Sequence, residues 1–577
     1  MSEHSHVTSI TLAHINDTHS YFEPTSLQLH LTLQKEKLSP YVSAGGFARI
    51  ATRVAELRER ALQRDQDFVF LHAGDSFQGT LYFSLFKGRA NAELLNALNI
   101  DAMALGNHEL DMGNEPVAEF AHAINFPLLA GNWDLCDEDK DKPVKLKENK
   151  NVYSYQRDTQ CARWIVKGSI GHPVAIFGIS LDKMSDIANP DDDTPFINAI
   201  EVARNTVAAI KASGVHSIIV LSHLGYRQDL QLAEEVDGIG VIVGGHSHVL
   251  QGDFSDLGLE KNDDYGYKVG DTYVVQSGCH ALALGHCQID FATDGRVVSL
   301  QGQNEILVGR RVFMDASLGS EYDTRRYDES RAILAQHPYV VTCPKHPTIQ
   351  TILHDNYLPQ VRERQKQVVA QLDSPLRHVR VPDQHGPSEL GPLVAQGFYE
   401  SMLADGYPVD FALHNAGGIR ASIPAGPLTV ADIVGNILPF VIPLAVYKIT
   451  GAILAQVLEG AINNALNNGV DGTGTGSYPY LYNCRFDYQE NAPLGERIQQ
   501  LEIYRYGEWQ AADPNEIYCG VSSSYTVKGK EGYDAFLCMT QPAVHSSQSM
   551  ADTFLSFMSR YSNRDSNAVA VPSSQSN

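Results

Sequence analysis

The sequence predicts a two-domain α/β protein. Its 577 residues are too many for one hydrophobic core, because larger chains divide into domains. In the first half, short apolar runs alternate with segments of helical period, which is typical of a layered α/β domain. A long helical segment, Pro347–Leu372, separates this half from a second group of strand and helix signals.

The first domain is expected over residues 1–345. Its strands are predicted at Ile10–Ile15, Phe68–Ala73, Ala102–Leu105, Val174–Ile179, Ser217–Ser222, Gly240–Val243 and Tyr273–Gln276. Helices are predicted between them at Phe47–Leu62, Ala90–Leu98 and Phe196–Ala212. Functional side chains in such domains lie on the loops at the strand ends.

The second, smaller domain is expected over residues 373–561, after a linker helix at 346–372. Its clearest elements are a strand at Phe411–His414 and helices at Ala452–Leu466 and Met550–Arg560. Residues 562–577 are rich in Ser and Asn, so this tail is predicted to be disordered.

The charge balance narrows the class of partner. A formal net charge of −24 argues against a nucleic acid or an anionic membrane as partner, since both require clustered Lys and Arg. A phosphate-bearing small molecule would need local positive charge, which bound cations can supply. The oligomeric state stays open.

The cysteines and the N-terminus indicate a cytoplasmic protein. The eight cysteines form no CxxC pair and are expected to be free buried thiols. No signal peptide is visible in residues 1–9, and no apolar run of about 18 residues predicts a membrane span.

Ligand-type side chains directly follow five of the predicted strands. In chain order they are Asp17 and His19, then Asp75, then Asn107, then His223, then His246 and His248. Asp17 and His19 are two residues apart in a segment expected to be extended, so both side chains should point to the same side. All five clusters directly follow predicted strands, and this shared placement predicts a metal centre.

This set of residues suits two divalent ions. Asp75 is the natural bridging carboxylate, because two-metal sites need one between ions about 3.5–4 Å apart. Asp17, His19 and His248 would complete one ion, and Asn107, His223 and His246 the other. Mixed nitrogen and oxygen ligands favour Zn²⁺, Mn²⁺ or Fe²⁺ over Mg²⁺.

His108 is predicted to act beside the metals without binding them. It follows Asn107 directly, so it should project next to the site, where it could protonate the leaving oxygen or stabilise the transition state. Asp111, three residues on, is placed to hold the imidazole by a hydrogen bond. These two are the candidate catalytic residues.

The ordered motifs DxH, GDxxx, GNH[DE], a lone His and GHxH resemble those of the calcineurin-like metallophosphoesterase superfamily. Further on, HNAGGIR at 414–420, ILPF at 437–440 and YTVKGKEGY at 525–533 resemble motifs of the 5′-nucleotidase C-terminal domain. The resemblance implies a four-layer α/β/β/α metal-binding domain, a linker helix and a smaller α/β substrate-binding domain. The resemblance also makes the periplasm or the extracellular space an alternative location, as in relatives.

The same resemblance implies roles for residues of the second domain. Asn415, Gly418 and Arg420 would contact phosphate, Phe440 and Tyr525 would stack on the base, and Glu531 would bind the ribose hydroxyls. Glu531 replaces the aspartate of the family. The family's further phosphate-binding arginine is missing, so this phosphate contact is either absent or supplied by another residue, for which Arg380 and Arg377 are the candidates.

The sequence therefore predicts a metal-dependent hydrolase of phosphoric monoesters, a 5′-nucleotidase-like phosphatase of nucleotide catabolism. The reaction would be in-line attack of a metal-bound hydroxide on the phosphate. The alternatives are UDP-sugar diphosphatase activity, 2′,3′-cyclic-nucleotide phosphodiesterase activity, or thiosulfohydrolase-like action on a non-nucleotide ester. A nucleotide-binding or adhesion protein that kept the fold without catalysis is the alternative from another class.

Overall fold

The structure, a computed structural model, describes residues 8–33, 36–168, 173–314, 324–439, 442–466 and 474–561. The chain divides into two compact units, Met1–Pro359 and Gln360–Asn577. The division falls inside the predicted linker helix.

The first unit contains two large sheets. The larger has eleven strands, in spatial order Cys161–Ala162, Val152–Gln156, Leu128–Ala130, Ala102–Ala104, Asp67–His72, Thr8–Ile15, Ala283–Phe291, Val297–Phe313, Tyr41–Ala44 and Thr25–Gln28, with Val340–Thr342 beside Val297–Phe313. The smaller has six, in the order Trp164–Lys167, Val174–Ser180, Ser217–His223, Val241–Val243, Thr272–Val275 and Tyr267–Val269. The short strands Leu31–Leu33 and Glu36–Leu38 pair antiparallel.

The seven predicted strands of the first unit are confirmed to within two residues. In the larger sheet the strand Thr8–Ile15 runs parallel to Asp67–His72, which runs parallel to Ala102–Ala104. In the smaller sheet Ser217–His223 runs parallel to Val241–Val243. The carboxyl ends of parallel strands lie at the same edge of a sheet, so the loops after them are brought together.

Helices complete the four-layer α/β/β/α arrangement of the first unit. Apolar side chains of both sheets form one buried core between them, for example Leu71, Ile176 and Ile219. The smaller sheet packs a second core against the helices Ala199–Ala212 and Tyr226–Glu235. The remaining helices are Phe47–Gln63, Leu81–Phe86, Arg89–Leu98, Asn114–Ala123, Thr324–Gln336 and Pro347–Ile352.

The predicted linker helix is shorter than expected. It begins at Pro347, widens to a π-helical turn over Leu353–Tyr357, and ends at Lys366. Pro359 explains the π turn, because it has no N–H for the preceding turn and its ring crowds the backbone there. The prediction of helix to residue 372 is wrong.

Residues Val368–Leu372 form a strand that pairs with Gly426–Thr429. Val368 and Val369 are β-branched, which favours a strand over a helix. Leu372 lies four residues after Val368, a spacing that fits both a helical face and an alternating strand. In the structure Ala370 and Leu372 are buried on one face of the strand, whereas Val368, which precedes an irregularity in the pairing, is exposed.

The second unit is built on a five-stranded sheet in the order Pro479–Tyr482, Phe411–Asn415, Ile517–Ser523, Pro443–Thr450 and Val544–Ser549. A three-stranded sheet adds Cys484–Tyr488, Ile498–Arg505 and Glu508–Ala511. The helices are Leu390–Ala404, Gly451–Ala465, Ser524–Val527 and Met550–Tyr561. Phe411, Tyr447 and Leu458 belong to the core between the five-stranded sheet and the helix Gly451–Ala465.

Candidate metal centre and substrate site

The predicted ligands of the first unit lie in two groups at the strand ends. One group is Asp17, His19 and His248, and the other is Asp75, His223 and His246. Within each group the ligand atoms lie within 4.8 Å of one another. Asn107 adjoins the second group, because its Oδ1 is 2.8 Å from Nδ1 of His246 and 3.2 Å from Nε2 of His223.

The backbone that carries Asp17 and His19 differs from the prediction. The strand ends at Ile15, and both residues have positive φ, 49° and 46°, so the extended geometry expected for the pair is wrong. The loop is curved and held by main-chain bonds, from Asp17 N to Gly74 O at 2.9 Å and from His19 N to Asp75 O at 3.1 Å. This curvature, rather than the strand pleat, directs the two side chains to one place.

Left-handed backbone recurs through the site. Asp75, His246 and His248 have φ of 58°, 71° and 59°. Such values are uncommon outside glycine and cluster at functional sites, where surrounding contacts hold the strained backbone. Here the hydrogen bond from His246 N to Asp17 Oδ2, at 2.9 Å, joins the two groups.

Hydrogen bonds on the far side of two imidazoles orient them towards the groups. Nδ1 of His19 donates to Phe77 O at 3.1 Å, and Nδ1 of His223 donates to Ala73 O at 2.7 Å. In each ring this leaves the Nε2 lone pair directed at the site, the usual arrangement for a metal-binding histidine. Nε2 of His19 also lies 3.2 Å from Nε2 of His248. Converging lone pairs and carboxylates fit a cation, so the donor set suits the divalent ions predicted.

Neighbouring carboxylates raise the pKa of two imidazoles in the site. Burial alone would lower the pKa of His223, but the charges of Asp75 and Asp17 raise it to about 9. At His248 burial also lowers the pKa, but the hydrogen bond to Asp17 outweighs burial and raises the pKa to about 11. His19, by contrast, has its pKa lowered to about 3 by burial. Metal ligands must lose such protons, so a divalent cation would replace them.

His108 lies beside the groups and is held by Asp111. Its backbone N donates to Asp75 Oδ1 at 2.8 Å, and its Nδ1 lies 2.6 Å from Asp111 Oδ2. Gln78 Nε2 donates to the same Asp111 oxygen at 2.9 Å. Burial alone would lower the pKa of His108, but Asp111 and Asp75 raise it to about 10. Nδ1 is engaged by Asp111, so the opposite ring nitrogen, Nε2, is the one suited to proton transfer.

Glu109 is a site residue to which the sequence analysis assigned no role. Its buried carboxylate accepts four main-chain N–H bonds, from Asp75, Ser76, Phe77 and Gly106, at 3.0, 2.6, 3.0 and 2.8 Å. It therefore ties together the two loops that carry Asp75 and Asn107. The available signal was its place in the GNHE motif, where a carboxylate directly follows two candidate residues.

Cys279 and His280 also border the first group and were not predicted. The Cys279 thiol contacts the rings of His248 and His280. The His280 ring stacks on Tyr21, with the centroids 4.1 Å apart. Neither residue lies in a motif used in the sequence analysis.

The second unit brings together three of the predicted substrate residues. Asn415 Nδ2 donates to Glu531 Oε2 at 3.4 Å, and the Tyr525 hydroxyl donates to the same carboxylate. Thr526 Oγ1 donates to Asn415 Oδ1 at 3.2 Å. Burial raises the pKa of the Glu531 carboxyl above its usual value. These residues form one connected cluster.

Arg420 lies close enough to this cluster for its charge to act on Glu531. Its Nη1 donates to Gly417 O at 3.3 Å, within the loop that also holds Gly418. A Cβ at Gly418 would lie 2.4 Å from the His414 ring, so no larger residue fits there. Phe440 lies outside the residues that the structure describes.

The two candidate substitutes for the missing arginine differ in surroundings. Arg377 forms an ion pair with Asp383, and its Nη1 donates to Gly386 O at 3.2 Å. Arg380 is exposed, and its charge acts on Arg420 and Glu531. The cluster of predicted substrate residues therefore has Arg380 rather than Arg377 in its electrostatic surroundings.

Comparison with known proteins agrees with the fold and with a phosphoesterase domain in the first unit. Residues 10–250 match the family of calcineurin-like phosphoesterases, and residues 368–537 match the 5′-nucleotidase C-terminal domain. A protein of Treponema pallidum described as "Probable 5'-nucleotidase" is 28% identical over 95% of this chain and 90% of its own length. The NAD 5′-nucleotidase of Haemophilus influenzae is 28% identical over 91% of this chain and 85% of its own.

Solved structures give the same result. The 5′-nucleotidase precursor of Thermus thermophilus is 28% identical, with a TM-score of 0.66, and the alignment covers 96% of this chain and 97% of that one. The chain thus combines a region similar to calcineurin-like phosphoesterases with a region similar to the 5′-nucleotidase C-terminal domain. Relatives that it matches over nearly its whole length are described as 5′-nucleotidases. A calcineurin-like phosphoesterase domain implies divalent metal ions, and the two groups of ligand-type residues agree with that. Among the described residues, no helix is both long and apolar enough to span a membrane.

Proposed function

We propose that this protein is a metal-dependent phosphohydrolase that releases phosphate from nucleotides. The observation that carries the proposal is the convergence of two groups of ligand atoms, each within 4.8 Å, at the ends of parallel strands. The relatives named as 5′-nucleotidases support nucleotides as the substrate class.

Seven side chains would hold two cations: Asp17, His19, Asp75, Asn107, His223, His246 and His248. Asp75 is suited to bridge them, because its charge acts on His19 of one group and His223 of the other. Two such cations supply an activated water and neutralise the phosphoryl oxygens during in-line displacement. Zn²⁺, Mn²⁺ and Fe²⁺ are proposed over Mg²⁺, because four of the seven ligands are imidazoles.

The chain's own acid–base group would be His108. Asp111 fixes its orientation through Nδ1, so Nε2 can donate a proton to the oxygen of the leaving nucleoside. A protonated imidazole there would also stabilise negative charge that develops on the phosphoryl group. Both roles need the ring to be held in place, which is the function assigned to Asp111.

The second unit would supply nucleotide binding, in a domain proposed to span residues 373–561. Arg420 and Arg380 offer two guanidinium groups to phosphate, while Tyr525 offers a ring face to the base. Glu531 would exchange its bonds to Asn415 and Tyr525 for bonds to ribose hydroxyls. Phe440 is proposed as the second stacking ring from its motif alone.

The compartment proposed for this activity is the cytoplasm. All eight cysteines are unpaired in the structure, which suits a reducing environment. The periplasm or the extracellular space is the alternative.

A hydrolysis screen tests the function, with the products separated by chromatography and released phosphate and sulfate assayed, because cleavage of NAD, UDP-glucose, a cyclic nucleotide or a thiosulfate ester releases no inorganic phosphate by itself. The metal-loaded protein is assayed with nucleoside monophosphates, NAD, UDP-glucose, a 2′,3′-cyclic nucleotide, a thiosulfate ester and a chromogenic phosphate ester, each with Mn²⁺ or Zn²⁺ and with a chelator. We expect hydrolysis of at least one nucleotide, lost with the chelator. Turnover of the chromogenic ester alone would exclude the nucleotide proposal. If none of the substrates were hydrolysed, the proposal that this protein is an enzyme would be excluded.

A further inference from the structure

His280 is an imidazole at the edge of the first group of ligand atoms, and the proposed function does not use it. Its ring centroid lies 5.8 Å from that of His19 and 6.0 Å from that of His248, with the planes tilted by 66° and 65°. The two groups of ligand atoms found among the described residues are made of other side chains. His280 is half-buried, so a molecule bound at the first group would lie beside its ring.

The backbone at His280 is strained and held from both sides. His280 and Ala281 are consecutive residues with left-handed backbone, at φ of 57° and 53°. His280 N donates to Asp17 O at 2.8 Å, and Gly46 N donates to Ala281 O at 3.0 Å. Gly45 lets this carbonyl approach, because a Cβ there would lie 2.4 Å from Ala281 O. Strained backbone that surrounding contacts hold in place clusters at functional sites, and here it sets the direction of the His280 side chain.

Two neighbouring side chains also hold the His280 ring. The Tyr21 ring stacks on one of its faces, with the centroids 4.1 Å apart and the planes at 25°. The Cys279 thiol contacts the rings of both His248 and His280. A stacked face and a sulfur contact restrict rotation of the imidazole, so its edge is presented to the first group in one orientation.

Two imidazoles outside the ligand groups thus adjoin His19. The His108 ring centroid lies 5.2 Å from that of His19, and the His280 ring centroid lies 5.8 Å from it. His108 is proposed to act on the leaving oxygen, which leaves the nonbridging phosphoryl oxygens to other donors. An imidazole carries at least one N–H in either charge state, so His280 can donate without a change in protonation. Hydrogen bonds to a charged phosphate oxygen are among the stronger ones.

We propose that His280 donates a hydrogen bond to a nonbridging phosphoryl oxygen of the substrate. This contact rests on the proposed function, because the phosphoryl group belongs to that substrate, but free orthophosphate offers the same oxygens. Tyr21 would be a positioning residue that acts through the His280 ring. The oxygen is present in the ground state and in the transition state, so the contact contributes to binding rather than to turnover.

The test is calorimetric titration of the metal-loaded full chain with orthophosphate. His280→Phe keeps an aromatic ring against Tyr21 and removes both nitrogens, and His280→Ala is the second variant because it adds no bulk to the strained segment. We expect both variants to bind orthophosphate at least about tenfold more weakly, since hydrogen bonds to charged groups contribute more than neutral ones. Metal content should stay at the wild-type level. The part of the binding that Asp75→Asn abolishes is the part at the metal centre.

His286→Phe is the matched control. His286 is also half-buried in the first unit, but its Nε2 lies 3.0 Å from Glu305 Oε1. This variant should match the wild type in orthophosphate affinity. Wild-type affinity in His280→Phe would overturn the proposal, because the ring without its nitrogens would then suffice. Loss of metal in either His280 variant would also overturn it, because His280 would then serve a cation.

A double-variant comparison tests the role of Tyr21. Tyr21→Leu alone should weaken orthophosphate binding, in the same direction as His280→Ala and by less. Added to His280→Ala, it should have no further effect, because residues that act through one contact are not additive. An equal loss with and without the His280 ring would contradict the positioning role.

Steady-state kinetics separates a phosphoryl contact from other roles. In both His280 variants KM should rise about tenfold for a nucleoside monophosphate and for the chromogenic ester alike, with kcat near the wild-type value. A rise confined to the nucleotide would overturn the proposal, because the contact would then be with the nucleoside. Weaker orthophosphate binding in His280→Phe, in a protein that hydrolyses no nucleotide, would sink the proposed function and leave this contact standing. Nucleotide hydrolysis with unchanged kinetics in His280→Phe would do the reverse.

Discussion

The proposed metal centre of the first unit is fixed by the main chain, whereas the proposed substrate residues of the second unit are held by one another. His19 and His223 each donate to a main-chain carbonyl, and Glu109 accepts four main-chain amides beneath Asp75. In the second unit, Asn415 and Tyr525 both bind the Glu531 carboxylate.

This difference teaches what each site can tolerate. Side chains held from behind keep their geometry when a ligand arrives, so the first site is preorganised for cations. Side chains that bind one another must exchange partners with a ligand, so the second site gains less from each contact. Substitutions in the first unit should therefore have larger effects than those in the second.

The largest effect is expected for Asp75→Asn. The substitution removes the carboxylate proposed to bridge two cations and keeps the side-chain size. We expect less metal per chain and a fall in kcat/KM of more than about 10³-fold, since even one preorganised electrostatic group is worth about 10²–10³. Elemental analysis of metal and phosphate release measure the two effects. Asp101→Asn is the control, because Asp101 pairs with Lys167 away from the centre. Full metal content in Asp75→Asn would contradict the assignment.

His108→Ala should give the next largest effect, on turnover alone. A positioned acid–base group contributes about 10²–10⁴-fold, so kcat should fall by that factor while metal content stays at the wild-type level. Asp111→Asn should reduce kcat in the same direction but by less, because the ring is kept and only its orientation is weakened. Loss of metal in parallel with activity would show that His108 is a ligand instead.

The residue types of the first site could be predicted from the sequence, but their geometry could not. Asp17 and His19 were recognised by their place after a strand, yet the pair has left-handed backbone that depends on bonds to Gly74 and Asp75. Such bonds join segments nearly sixty residues apart, and no local pattern reports them. Glu109 was overlooked for the same reason, since all but one of its partners lie in the distant Asp75 loop.

The error at Val368–Leu372 has a different cause. Spacing by four residues is common to one helical face and to alternate positions of a strand, so the apolar pattern could not separate them. The strand forms because Gly426–Thr429 pairs with it, a tertiary contact. The β-branched pair Val368 and Val369 was the local signal that favoured a strand.

Glu109→Gln should have an intermediate effect, on metal affinity. A glutamine keeps one acceptor oxygen and presents an NH₂ group to main-chain donors, so the Asp75 and Asn107 loops lose part of their shared support. Groups that orient metal ligands typically change affinity by about 10–100-fold, and we expect a loss in this range in competition with a fluorescent chelator.

The matched control for Glu109 is Glu138→Gln. Glu138 is also a buried carboxylate that accepts main-chain amides, from Leu146 and Lys147, but it lies in another loop. Both variants should lower the unfolding temperature, and only Glu109→Gln should weaken metal binding. Equal metal affinity in the two variants would mean that Glu109 supports the fold and not the centre.

The smallest effect is expected for Tyr525→Ala in the second unit. Stacking of a base on an aromatic ring is worth about 1–3 kcal/mol, and the lower end applies here because Phe440 is proposed to remain as the second ring. KM for a nucleoside monophosphate should rise about fivefold, with kcat nearly unchanged. Kinetics on a small chromogenic ester, which has no base to stack, should match the wild type. Tyr506→Ala is the control, because Tyr506 is 87% exposed in the same unit. If both substrates were affected equally, Tyr525 would act through the Glu531 carboxylate or the fold rather than through the base. The second unit would then not be the site of nucleotide binding that the comparison of the two units assumes.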